Sequence, residues 1–133
     1  MGRINGSVKD EMLEKKNWAV VGVSPNEEKF GFKVFDTLKN HKYIVYGVNP
    51  KYDEVRGEKI YSELEPILDK IECINFVVNP KVTYKMMESL DPSQVEYIWF
   101  QPGAYDDNVL ELGKRKGFNM VHGSCVLVEL ANS

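Results

Sequence analysis

Cysteine is scarce in this chain. Cys73 and Cys125 stand alone and far apart, with no CxxC pair and no histidine beside either. That spacing excludes a zinc-finger ligand set and a dithiol redox motif. Histidine is equally thin, with only His41 and His122 and no motif joining them. No apolar run approaches the roughly 20 residues that a membrane-spanning helix needs. The N-terminal stretch MGRINGSVKDEMLEKK has no apolar segment of the kind that signals secretion, so the chain reads as cytoplasmic and Asn5-Gly6-Ser7 as an accidental sequon. Excess basic charge is absent too. A net charge of −3 over 133 residues argues against a general nucleic-acid binder, but it does not exclude a small anionic ligand, which needs only local positive charge.

What is present fits an ordinary globular protein: 43% hydrophobic and 28% charged residues. The length suits one domain with a core of its own, spanning residues 1–133 with an N-terminal helical extension over 1–16. Short apolar runs alternate with amphipathic stretches. Ser7 to Lys16 reads as a short helix capped by Ser7, and Trp18 to Val23 is a continuous apolar run suited to a strand covered on both faces. Gly31 to Asn40 reads as a helix with Val34, Phe35 and Leu38 on one face, and Tyr43 to Val48 as a second strand. A long connection from Tyr52 to Glu63 and a short helix from Leu64 to Lys70 precede the third strand, Cys73 to Val78.

Pro80 opens the next helix, with Val82, Met86 and Leu90 recurring every four residues. Tyr97 to Phe100 is the fourth strand, and Tyr105 to Lys116 a helix stopped by Gly117. Met120 to His122 makes a brief fifth strand, and Ser124 to Leu130 a terminal helix. The expected fold is therefore α/β: a single doubly wound, Rossmann-like parallel sheet of about five strands with helices on both faces.

Ligands of such sheets bind outside the carboxyl ends of the strands. The first strand leads into Gly22-Val23-Ser24-Pro25-Asn26-Glu27-Glu28-Lys29-Phe30-Gly31. Gly22 permits a sharp turn and Gly31 opens a helix whose amides can face a phosphate. Ser24 can donate its hydroxyl there and Lys29 adds charge. The loop departs from G-x-G-x-x-G, with Ser24 where the second glycine would stand and Glu27 where the third would. On spacing alone, turn and packing roles for both glycines compete evenly with a ligand role.

The second strand ends in Asn49-Pro50-Lys51, a cation where dinucleotide-binding sheets usually carry a ribose-binding carboxylate. Lysine at that point favours a ligand with an extra phosphate on its ribose, coenzyme A or NADP, although a solvated surface lysine accounts for it as well. After the third strand come Val77, Val78 and Asn79, with Asn79 read first as a helix cap. Gln101, Pro102 and Gly103 follow the fourth. These loops hold few of the acids and histidines used in acid–base catalysis. His41 reads as a surface cap, and His122 has no recognisable nucleophile partner. Cys125 would lie near a helix N-terminus, but reads more simply as a small buried hydrophobe. No catalytic constellation is visible.

Taken as a set, S-P-N-x-x-x-x-G, V-N-P-K, N-P-K-V, W-F-Q-P-G and G-S-C resemble the stand-alone CoA-binding domain proteins, similar to the N-terminal domain of the succinyl-CoA synthetase α subunit. The resemblance runs from Asn17 to Glu129 and implies a Rossmann-like fold with coenzyme A laid across the strand ends. It places Gly22, Ser24, Pro25 and Gly31 along the diphosphate and pantetheine. Asn49, Pro50 and Lys51 fall at the adenosine, with Lys51 near the 3′-phosphate. Val77, Val78 and Asn79 lie against adenine or ribose, and Gln101 and Gly103 at the cleft border. Pro102 and Val78-Asn79 depart from the usual pattern. Neither histidine matches the phosphorylated histidine of the synthetase's second domain, so the resemblance carries binding of CoA or acyl-CoA without ligase activity. Two alternatives stay open at this point. One is an NADP-linked oxidoreductase-like domain, for which Tyr84-Lys85 lacks the Tyr-x-x-x-Lys spacing. The other is an interaction module with a protein partner and a vestigial cleft.

Overall fold

The apolar run that begins at Trp18 forms β1 (Asn17–Val21), in which every residue but the first is buried. Burial on both faces is what a central parallel strand requires. The computed structural model describes residues 2–131. Beside β1 lie β2 (Ile44–Val48) on one edge and β5 (Cys73–Phe76) on the other, both parallel to it. β6 (Tyr97–Phe100) and β7 (Asn119–Val121) extend the sheet in the same direction.

The long connection predicted between Tyr52 and Glu63 is not structureless. It contains β3 (Glu54–Val55) and β4 (Glu58–Tyr61), paired antiparallel, with β4 also joined parallel to β2. The sheet among the described residues therefore has seven strands in the order β3-β4-β2-β1-β5-β6-β7, rather than about five, and its outermost strand runs against the rest. Counted in chain order, the six parallel strands stand as 3-2-1-4-5-6, the order of dinucleotide-binding sheets, with the switch point between β1 and β5. The hairpin escaped the pattern reading because its strands are only two and four residues long, with charged residues at half of their positions and no alternation to mark them. Only Val55 and Ile60 of it are buried. Its turn, Arg56-Gly57, has positive φ at both residues (54° and 81°), the conformation of a tight two-residue hairpin.

Two helical layers cover the sheet. On one face α1 (Ser7–Leu13), α2 (Phe30–Asn40) and α5 (Val126–Ala131) pack Val8, Met12, Val34, Leu38 and Val126 against Trp18, Val20 and Trp99. On the other, α3 (Pro80–Glu88), α4 (Asp107–Lys116) and a single 3-10 turn at Glu65–Ile67 pack Met87, Val109, Leu112 and Ile67 against Ala19, Ile74 and Phe100. The predicted helix Leu64–Lys70 thus shrinks to that one turn. The buried face of α3 is one residue out of the predicted phase: Thr83 and Met87 face the core while Val82 is exposed. α1 starts at Ser7 with Gly6 at its cap position, so Ser7 is not the cap. Its hydroxyl instead accepts from Arg3 (3.2 Å).

The N-terminal segment belongs to the core. Ile4 bridges in parallel to Met120 on the free edge of β7, and Asn5 donates its amide to the Met120 carbonyl at 2.8 Å. Arg3 grips both oxygens of Glu11 at 2.6 and 2.7 Å, and Glu11 also accepts from the Tyr97 hydroxyl at 2.8 Å. At the far end of α3, the Lys116 ammonium donates to the carbonyls of Met87, Glu88 and Leu90 at 2.7 to 2.9 Å. Gly117 ends α4, as the sequence predicts, and does so in the left-handed conformation at φ 94°.

Candidate ligand-binding cleft

The switch point opens a cleft of about 640 Å³ at the carboxyl ends of β1, β2, β5 and β6. Two glycines make it. Gly22 turns the chain out of β1 with φ 110°, and a Cβ there would come within 2.9 Å of the Val77 carbonyl oxygen. Gly31 lies still closer to its neighbour, since a Cβ would fall 1.9 Å from the Gly22 carbonyl oxygen. In a dinucleotide fingerprint the third glycine provides this close helix–strand packing. Here Gly31 has that role, four residues later than the G-x-G-x-x-G spacing would put it, and Glu27 is no substitute for it.

Between the glycines the loop folds on itself. Ser24 Oγ accepts from the Asn26 amide at 3.1 Å, and Asn26 Oδ1 accepts from the Glu28 amide at 3.0 Å. The Lys29 amide donates to the Asn26 carbonyl at 3.1 Å. The next two amides, of Phe30 and Gly31, find no acceptor among the described residues, as the first amides of an α-helix do not. They open on the cleft with the Ser24 hydroxyl, whose own proton remains to donate, and with Lys29. Helix-start amides, a hydroxyl and a lysine form a surface suited to phosphate oxygens.

The loop after β2 is tied to this one. Asn49 donates its side-chain amide to the Val23 carbonyl and accepts from the Lys51 amide, both at 2.9 Å. Asn49 thereby fixes the spacing between the two loops. It leaves Lys51 exposed on the cleft with no carboxylate partner among the described residues. After β5, Val77 and Val78 give apolar floor. Asn79 caps α3 through its Oδ1, which accepts from the Val82 amide at 3.0 Å, so its capping role and its place on the cleft coexist. Gly103 borders the far side.

Of the thirteen residues expected at the site, ten line this cleft: Gly22, Ser24, Lys29, Gly31, Asn49, Lys51, Val77, Val78, Asn79 and Gly103. Pro25 and Pro50 are exposed outside it. Gln101 is fully buried behind it, accepting from the Val126 amide at 3.0 Å and donating to Cys125 Sγ at 3.2 Å. Gln101 holds α5 in place and does not border the cleft. Sequence reasoning had not assigned Glu28, Phe30, Tyr52, Pro102 or Ala104, all on the cleft wall. Phe30 stands at the first position of α2 and is 52% exposed.

The remaining chemical candidates lie elsewhere. His41 donates Nδ1–H to the Thr37 carbonyl at 2.9 Å at the end of α2. The His122 ring rests 5.1 Å from that of Tyr105. Cys73 is buried, and burial pushes its thiol well above the ordinary range. No cluster of three or more metal-ligating side chains occurs among the described residues. None of their helices is long and apolar enough to cross a membrane.

The match to known proteins fits this cleft. A family described as CoA binding domain matches residues 16–131. The chain belongs to the CoA-binding domain family. Within that family it is 28% identical over 119 residues to an ADP-forming acetate–CoA ligase of Methanocaldococcus jannaschii, a match covering 84% of this chain and 17% of the ligase. The chain thus spans under a fifth of that relative's length. The uncharacterized protein YneT of Bacillus subtilis is 25% identical over 121 residues, which is 91% of this chain and 90% of YneT. Among solved structures, a hypothetical protein from Pyrococcus horikoshii superposes with a TM-score of 0.85 at 32% identity, covering 95% of this chain and 89% of that one. The CoA-binding domain therefore occurs both as a short chain and as one part of a much longer ligase.

Proposed function

We propose that this protein binds coenzyme A or an acyl-CoA across its strand ends and acts as a binding or accessory module rather than as a complete enzyme. The observation that carries the reading is the cleft itself. In a chain of the CoA-binding domain family, two lysines with no acid partner and two helix-start amides with no acceptor meet at the switch point of a sheet in dinucleotide-binding order. The donor set fits the group. Phosphate oxygens need N–H, O–H and ammonium donors, and Ser24, Phe30, Gly31, Lys29 and Lys51 supply these. Lys29 and the α2 amides would take the diphosphate, with Lys51 near the 3′-phosphate. The apolar surface of Val77 and Val78 would meet adenine or ribose. A cytoplasmic setting accords with two cysteines that form no disulfide.

Isothermal titration with CoA, dephospho-CoA, NADPH and NAD tests the reading. Micromolar binding of CoA, weakened when the 3′-phosphate is removed, is the expected result. Lys51→Ala should weaken CoA more than dephospho-CoA; equal losses would remove Lys51 from the 3′-phosphate. Binding of NADPH alone, or of none of the four, would overturn the reading. The nicotinamide alternative gains no support from the family or from the relatives.

A further inference from the structure

Two acids follow one another in the loop after β1, and the fold treats them differently. Glu27 turns outward and pairs with Arg56 at the tip of the β3–β4 hairpin, whose guanidinium also lies 4.9 Å over the Phe32 ring. Glu28 lines the cleft and has no cationic partner among the described residues. Its amide is held by Asn26 Oδ1 at 3.0 Å, and the Arg56–Glu27 pair anchors the residue before it. The backbone of Glu28 is thus held on the wall that presents the Lys29 ammonium and the α2 amides, and its exposed carboxylate is carried there with it.

A carboxylate there is drawn to the same donors that a ligand phosphate would use, so the two compete, and one of the three charged residues on the wall is an acid. From this we infer that Glu28 sets the affinity of the cleft: it is a built-in counter-charge that repels the ligand's diphosphate and holds affinity below what Lys29, Lys51 and the α2 amides alone would give. The inference rests on the CoA reading above and deepens it. A rim charge acts mainly on the association rate and on salt dependence, so Glu28 makes capture slower without altering the contacts that recognise the ligand.

The test is titration of the full chain and of Glu28→Gln with CoA and with dephospho-CoA, at low salt and at 1 M salt. Glu111→Gln on α4 makes the same change in net charge away from the cleft and serves as the control. Glu28→Gln should bind CoA roughly two- to five-fold more tightly at low salt, the scale of a single exposed charge interaction. Dephospho-CoA, which keeps the diphosphate, should gain equally. The gain should vanish at 1 M salt, where screening reaches only about 3 Å, and Glu111→Gln should show none of it. Unchanged or weaker binding by Glu28→Gln, or an equal gain in Glu111→Gln, overturns the inference while the CoA reading stands. Failure of the unmodified chain to bind CoA at all overturns both.

Discussion

Gly31 sits so close to Gly22 that a methyl group on it would meet the Gly22 carbonyl oxygen at 1.9 Å. The start of α2 and the end of β1 are therefore in backbone contact, with no side chain between them. Gly31→Ala should force them apart, at about 1–3 kcal/mol of stability, the usual penalty for overpacking. Urea unfolding measures this, and an unchanged midpoint would mean that the loop relaxes freely.

Asn75 is a second point of tension. It lies fully buried in the middle of β5, between Val20 and Trp99 on the neighbouring strands, and neither its oxygen nor its nitrogen has a hydrogen-bond partner among the described residues. An unpaired buried amide is costly, and an apolar group of similar shape removes that penalty. Asn75→Leu should raise stability by about 1 kcal/mol. A fall in the unfolding midpoint would show that the amide is paired in solution.

Lys116 makes the opposite case. Its ammonium closes the end of α3 by donating to three carbonyls, so Lys116→Met should destabilise the fold by about 1–3 kcal/mol, the scale of hydrogen bonds to a charged group. CoA affinity should not change, because the end of α3 lies away from the cleft. Loss of binding at full stability would contradict this separation.

The Arg3–Glu11–Tyr97 cluster sets how the N-terminal segment responds to pH. Hydrogen bonds from Arg3 and then Tyr97 hold the Glu11 carboxyl down to about 2, from an ordinary 4.5. Its contribution is thus complete above pH 4.5 and disappears as pH falls through about 2. The bond to Glu11, then burial, pushes the Tyr97 hydroxyl up to about 12 from 10. That contribution is complete below pH 10 and is lost as pH rises through about 12. Stability measured against pH should have a shallower acid slope in Glu11→Gln and a shallower alkaline slope in Tyr97→Phe, with Glu72, Asp91 and Tyr43 supplying what remains. Slopes unchanged in both would place the titration elsewhere.

The parallel core and most of the cleft were legible because their signals are local. Trp18–Val21 and Tyr97–Phe100 are continuous apolar runs, and the loops that follow them carry the glycines and lysines at the strand ends. What stayed hidden depends on partners remote in the chain. Gln101 has the composition of a cleft residue, but it shares a strand face with Trp99, beneath α5, and only the docking of α5 turns its amide inward. Glu28 looked like one more charged loop residue until Arg56, from a hairpin that left no apolar run, took up its neighbour Glu27. The phase of α3 slipped by one because Thr83, a polar residue that is fully buried, satisfies its hydroxyl on the Asn79 carbonyl.

The covering of the sheet's two borders has a consequence for how this unit can be reused. At one border the outermost strand, β3, is two residues long. At the other, Ile4 occupies the free side of β7 with its bridge to Met120. Neither border offers a long row of open amides and carbonyls onto which a foreign strand could add. Such a unit can be joined to other polypeptides, or produced by itself, with little risk of mispairing, which suits a domain found both in short chains and inside large ligases.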